Sequence, residues 1–221
     1  LSQLTKKTVV YNFRQNDLKN GGQGAPLTPI FHKIIKSRLK NDWWPVLFLN
    51  IGGISNVTST SKFSTISKNT NLDLAHNVFA GDLAPGNCLI DKWIRKNSKN
   101  KYDRDGLIAK SGKVNQLVLN QALDNYSVES YKSFPPPSLD IKDYDISFAR
   151  GLSLEDGAAT LTEYTSFIIS EVINAMPDGR RVVVCGGGRK NKFLLKRISK
   201  KLKYSIQPID NFGIDGDFVE S

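Results

Sequence analysis

The sequence is poor in everything that would let a chain hold its shape without a hydrophobic core. Its 2 cysteines, Cys88 and Cys185, stand far apart in apolar surroundings, which excludes a disulfide scaffold and favours two reduced, buried thiols. With 2 histidines, His32 and His76, no zinc-ligand spacing arises. Long apolar runs are missing: Pro45 to Leu49 and Val182 to Cys185 are too short for a bilayer and suit buried strands. Leu1 to Thr8 offer two lysines but no apolar signal core, so the cytoplasm is the expected compartment. A hydrophobic fraction of 39% with 24% charged residues excludes disorder and fibrous repeats. The 221 residues suffice for one large domain or two small ones.

Acidic charge is scarce. Against 31 lysines and arginines stand 21 acids, a net charge of +10. The stretch Arg189 to Lys203 holds Arg189, Lys190, Lys192, Lys196, Arg197, Lys200, Lys201 and Lys203 with no acid. Only Phe193 and Tyr204 accompany it as stacking aromatics, so it reads as the solvated face of a helix rather than a nucleic-acid surface.

Thr8 to Phe13 reads as a strand running into Asn16-Asp17 and Gly21-Gly22-Gln23-Gly24-Ala25-Pro26, a segment too rich in glycine for a helix. Ile30, Phe31, Ile34, Ile35 and Leu39 recur at helical spacing, which predicts a connector helix from Thr28 to Leu39. Strands are expected at Val46 to Ile51, Asn56 to Thr60 and around Asn77 to Gly81. A helix follows Pro85-Gly86-Asn87, with Leu89, Ile90, Trp93 and Ile94 as its apolar stripe. Tyr102 to Lys113 reads as a polar loop, and Val114 to Leu123 as a helix before Pro135-Pro136-Pro137. Leu154 to Met176 is a long helix behind Ser153, which with Asp156 has the spacing of a capping box. A strand at Arg181 to Cys185, a turn at Gly186 to Gly188, a helix at Asn191 to Leu202 and a strand at Tyr204 to Ile209 complete the pattern. There is no internal repeat. Three strands and a helix followed by alternation predict an α/β fold with a mixed sheet flanked by helices.

Three glycine-bearing turns follow apolar strands: Asn50-Ile51-Gly52-Gly53, Gly81-Asp82 up to Pro85-Gly86-Asn87, and Gly186-Gly187-Gly188 with Asn191. Each glycine could simply allow a tight turn. Together, at strand ends of one sheet, they form the kind of edge where backbone amides approach phosphate. There is no Gly-Lys-Ser or Gly-Lys-Thr, so a P-loop is absent, and the Rossmann pattern fails where Asn191 replaces the third glycine. Asp82 either polarises water or holds Mg²⁺ at the cleft, or caps the next helix with Asn87. Arg14 and Asp17 beside the first glycine loop suit a polar ligand or a surface salt bridge.

The blocks VVYNFRQNDLKNGGQGAPLTPIFH (Val9 to His32), LNIGGISNVT (Leu49 to Thr58), GDLAPGNCLIDKWI (Gly81 to Ile94), YDRDG (Tyr102 to Gly106), LSLEDGAATLTEYT (Leu152 to Thr165) and VVVCGGGRKN (Val182 to Asn191) closely resemble the anhydro-N-acetylmuramic acid kinase family. The match runs in order along essentially the whole chain, and GGQGAPL and PGN are its most specific parts.

That resemblance implies an actin-like ATPase fold of ribonuclease H-like topology, two lobes closing on ATP, Mg²⁺ and an amino sugar, and a role in peptidoglycan recycling. Residues 1–40 would be the tail of the first lobe with its sugar loop and connector helix, and 41–221 the nucleotide-side lobe. Asp82 falls on the family's catalytic aspartate. Asn50, Gly52, Gly53 and Asn56 would face phosphates, and Gly186, Gly187, Gly188 and Asn191 the adenosine. Asn12, Arg14, Asp17, Gly22 and Gly24 would shape the sugar side, with no resident metal ligand in the protein. The family suggests a homodimer and no nucleic-acid or membrane partner. Asn12 stands where the family usually has Asp, Ala84 where it commonly has Gly, and its GTSxDGxD phosphate turn does not occur. The expectation is therefore a fragment without appreciable kinase activity of its own, or a non-catalytic remnant that binds nucleotide or a partner.

Overall fold

Consecutive apolar side chains in a strand need shielding on both faces, and Val46 to Leu49 and Val182 to Val184 find it at the centre of one sheet. The computed structural model describes residues 1–22, 24, 28–38, 46–60, 78–126, 139–176 and 181–219. Among these, β1 (Val46–Ile51), β2 (Ile54–Thr60), β3 (Val78–Pro85), β4 (Arg181–Cys185) and β5 (Ser205–Pro208) are ordered β3-β2-β1-β4-β5. β2 is antiparallel to both β1 and β3, while β4 is parallel to β1 and β5 to β4. Four strands, β1, β3, β4 and β5, thus end at one edge. This is the mixed sheet flanked by helices that the sequence pattern predicts.

The helices are α1 (Ser2–Thr5), α2 (Arg14–Lys19), α3 (Pro29–Arg38), α4 (Cys88–Asn97), α5 (Leu107–Ser111), α6 (Gln116–Asp124), α7 (Leu154–Ala175) and α8 (Lys192–Lys201). Strand alternation sends Leu47, Leu49, Ile51, Val57, Leu83, Val182 and Val184 into a core with α4, α7 and α8. The opposite face carries Val46, Phe48, Val183 and Cys185, packed with Ile35 of α3, Ile209 and Val219. On that face His32 stacks on Phe48 at 4.7 Å and shares a 2.9 Å hydrogen bond with Thr58. Burial pushes the His32 pKa down to about 4, so it packs as a neutral ring. No described helix is long and apolar enough to cross a membrane.

The long helix starts as expected at Ser153, whose Oγ accepts the Asp156 N–H at 3.1 Å. The box is not closed in the expected way, because Asp156 turns its carboxylate to the Lys113 N–H, 2.8 Å away, and so ties α7 to the end of α5. Glu163, buried in α7, receives Arg197 and Lys201 of α8. Burial raises its pKa, but the two cations outweigh that and hold it below the usual range. The basic run is therefore not merely a solvated face.

Three expectations need correction. Thr8 to Phe13 forms no strand: it has no ladder partner among the described residues, and Asn12 breaks the extended run at φ 68°. Extended chain without a partner is not stable on its own. Tyr102 to Lys113 is not an irregular loop, because the buried Asp103 carboxylate accepts the Ile108 and Ala109 N–H groups at 2.9 Å each and so starts α5. The third strand continues past Gly81 to Pro85, placing Gly81 and Asp82 inside it. Leu39 and Pro135 to Pro137 lie outside the described residues. Cys88 and Cys185 are buried and form no disulfide among the described residues.

Trp93 of α4 donates its Nε1–H to Leu154 O at 2.9 Å, and its ring lies so close to Gly157 that a Cβ there would sit 2.2 Å from it. Alanine at 157 gains about 1 kcal/mol of helix propensity, yet must displace the indole, an overpacking cost of about 1–3 kcal/mol. Gly157→Ala is expected to lower the midpoint of thermal unfolding. An unchanged or higher midpoint would show that Trp93 yields freely.

Candidate active site

The carboxyl edge is built by backbone. Gly86 and Cys88 donate their N–H groups to Gly53 O (2.9 and 3.1 Å) and Asn87 donates to Gly52 O (2.8 Å), tying the β3–α4 turn onto the β1–β2 hairpin. A Cβ on Gly86 would lie 2.3 Å from Gly52 O. Across β1, Gly186 has φ 76° and its missing Cβ would lie 2.1 Å from Asn50 Oδ1; at Gly188 it would lie 2.3 Å from Ile51. These glycines are required by packing. Gly187 is different, since no described atom lies within 4 Å of its Cβ position, so its backbone is open to a ligand.

A polar row crosses the sheet just inside that edge. Asp82 pairs with Asn56, Asn56 with Asn50, and Asn50 with Cys185, and directly opposed residues share a face. That face is the one opposite α4 and α7. Asn50 is 8% exposed, and its Oδ1 is buried with no hydrogen-bond partner among the described residues. Such an acceptor calls for a donor from a ligand or water. Asp82 is half-buried, and its Oδ2 accepts the Leu139 N–H at 2.9 Å. Burial pushes the Asp82 pKa up, and the Leu139 N–H holds part of that rise back. The capping alternative is not realised: α4 has Asn87 at its N-cap position and no side-chain cap. Beside Leu139, Ile141 covers the hairpin, its Cδ1 lying 3.0 Å from where a Cβ on Gly53 would be.

At the same carboxyl edge, where Asn87 follows β3 and Gly187 follows β4, lies a cleft of about 280 Å³ lined by Asn87, Asp91, Tyr102, Asp103, Asp105, Gly187, Lys190 and Asn191. Of the residues read from the sequence as a nucleotide site, Gly187 and Asn191 line it. Asn191 also has a structural duty, its Oδ1 accepting the Leu194 N–H at 2.9 Å to cap α8. Burial pushes the Asp91 pKa up to about 6, Asp103 adds to the rise and Arg95 opposes it. The sequence reading gave Asp91, Tyr102 and Lys190 no role toward a ligand, although the GDLAPGNCLIDKWI, YDRDG and VVVCGGGRKN blocks hold them.

The proposed sugar loop is a separate local structure. Asp17 accepts the Gly24 N–H at 2.7 Å and leaves no room for a Cβ on Gly22, which would be 2.1 Å from its carboxylate. Arg14 begins α2, with its Cβ beside buried Gly24. Among the described residues, the hydrogen bonds of Asn12, Asp17, Gly22 and Gly24 close within this segment. Asp82, Asn50, Gly52, Gly53, Asn56 and Gly186 to Gly188 are thus brought together, and no described contact joins Asn12, Arg14, Asp17, Gly22 or Gly24 to them.

The sequence profile of the family described as Anhydro-N-acetylmuramic acid kinase matches residues 1–221. A relative of that name from Pelagibacter ubique is 45% identical over all of this chain and 57% of its own length. Another from Zymomonas mobilis is 36% identical over all of this chain and 56% of its own length. Among solved structures, gluconate kinase from Lactobacillus acidophilus aligns with a TM-score of 0.45 at 12% identity, over 74% of this chain and 35% of its own. The chain therefore spans a little over half the length of these curated relatives. With the profile matching from end to end, it belongs to the anhydro-N-acetylmuramic acid kinase family.

Proposed function

We propose that this chain supplies the nucleotide-side lobe, residues 41–221, and part of the first lobe, residues 1–40, of a cytoplasmic kinase acting on 1,6-anhydro-N-acetylmuramic acid. Water opens the anhydro ring and ATP phosphorylates O6. The products are N-acetylmuramic acid 6-phosphate and ADP. The observation that carries this reading is Asp82, a half-buried carboxylate with one oxygen held by the Leu139 N–H, on the same face as Asn50 and Asn56. Its raised pKa suits a base that must take a proton near neutral pH. As the water oxygen bonds to C1, its proton passes to Asp82. The C1–O6 bond breaks, O6 bonds to the γ-phosphorus, and the bridging oxygen leaves with ADP.

The residues present fit a nucleotide. The open backbone at Gly187 and the adjoining cleft suit the nucleoside and its phosphates, and the buried Asn50 Oδ1 accepts a ligand or water donor. Gly52, Gly53 and Asn56 line the phosphate side, while Asn12, Arg14, Asp17, Gly22 and Gly24 shape the sugar side. Among the described residues no group of three or more His, Cys, Asp or Glu side chains could hold a metal ion. Magnesium bound with ATP supplies neutralisation of the phosphate charge.

Asp82→Asn keeps the acceptor for Leu139 and removes the base. In the protein expressed from its complete reading frame, turnover measured as ADP release is expected to fall about 10²–10⁴-fold, with the thermal midpoint unchanged or slightly higher. Turnover within a few-fold of wild type would remove Asp82 from the chemistry. Nucleotide binding by a protein without any turnover would favour the non-catalytic remnant.

Asp91 offers a pH test. Its pKa rises from 3.8 to about 6 in the folded chain, so folding favours its protonated form. The stabilisation is complete below about pH 4 and is lost as pH rises through 6. Asp91→Asn is expected to stabilise the chain at pH 7.5 by on the order of 1–2 kcal/mol and to make no difference near pH 3.5. Denaturant unfolding at the two pH values checks this. Asp91 also lines the cleft read here as the nucleotide's, so the same variant should raise the KM for ATP.

A further inference from the structure

Arg189 is the first residue after the triple glycine, and its charge does not face solvent. Its side chain is 5% exposed. Nε and Nη2 form a fork on Asp210 Oδ2 and Oδ1 at 2.7 and 3.0 Å. Nη1 donates to Asp217 Oδ1 at 2.6 Å and to Gly186 O at 3.1 Å, and Nη2 reaches Asp215 Oδ1 at 3.5 Å. All five N–H groups a guanidinium carries are thereby engaged. The backbone at Gly216 passes so close that a Cβ there would sit 2.3 Å from Nε.

Two features make this more than a surface ion pair. The bond to Gly186 O grips the residue whose φ of 76° turns the chain from β4 into the glycine turn, and the remaining donors anchor that grip to residues 210–217. Those residues are in turn fixed to the sheet through Ile209 and Val219, buried against Val183 and Cys185. The open backbone of Gly187 is therefore held from behind by a rigid, charge-assisted fork. We propose that Arg189 is a positioning residue for the nucleotide, holding the Gly186–Gly188 backbone in its binding geometry by clamping Gly186 O to the acidic segment Asp210–Asp217. This rests on the reading that Gly186 to Gly188 face the nucleotide.

Lysine at 189 keeps the charge but cannot form the fork. In the protein expressed from its complete reading frame, Arg189→Lys is expected to raise the KM for ATP at least tenfold, with kcat within about threefold and the KM for the anhydro-sugar unchanged. Asp210→Asn, at an acid 45% exposed, spares the fold and should raise the KM for ATP about threefold. It decides the matter if Arg189→Lys does not fold. Gly187→Phe, which fills the open space over the turn, tests the underlying reading separately. If it leaves the KM for ATP unchanged, the nucleotide assignment of the turn fails and the proposal with it. If Gly187→Phe raises that KM while Arg189→Lys does not, or if Arg189→Lys alters kcat or both KM values alike, Arg189 is a structural staple and the proposal is overturned.

Discussion

The structure turns on one close approach: the backbone of Gly86 against the carbonyls of Gly52 and Gly53. Three N–H groups of the β3–α4 turn are satisfied there, which is possible only because no Cβ stands 2.3 Å from Gly52 O. That contact fixes where β3 ends and where α4 begins. It spends the hairpin's carbonyls on structure, so a ligand at this edge meets what remains: side chains of the polar row and the open backbone of Gly187. Buried backbone groups must be paired, and here the pairing also settles which groups are available for recognition.

Charge in this chain works inward more than its net value suggests. Arg197 and Lys201 close on Glu163 between α7 and α8, and Arg189 and Lys190 close on Asp210, Asp215 and Asp217. The buried members of these groups are each matched with opposite charge, as desolvation requires. What is left on α8 is an outer face around a helix whose Leu194 and Ile198 are fully buried.

The sheet was legible because β1 and β4 are apolar at nearly every position, and the long helix because its cap and stripe are local. The converging glycine turns were also legible, since strand ends in an α/β pattern fall at one edge. What was not legible depends on residues distant in sequence. Arg189 looked like surface charge because its acids follow 21 to 28 residues later. The anchor of Asp82 comes from Leu139, 57 residues on. Only space distinguishes Gly187, which is open, from Gly186 and Gly188, which packing demands. Asp103 was hidden in a polar run because its carboxylate serves amides five and six residues ahead, a pairing that composition does not reveal.

The register of β3 against β2 slips between Asn56 and Ser55: Asn56 pairs with Asp82 but Ser55 with Ala84, so Leu83 is an extra residue. A bulge of this kind resets the alternation of a strand. Leu83 and Ala84 both enter the core beneath α4, while Asp82 stays on the other face beside Asn56. The methyl of Ala84, fully buried, is thus absorbed by the core and does not crowd the cleft. A single-residue deletion at this point would do more than shorten a strand. Removing Leu83 would leave Asn56 opposite Asp82 and Ser55 opposite Ala84 in unbroken alternation, so the carboxylate would keep its face while the core beneath α4 lost a fully buried leucine.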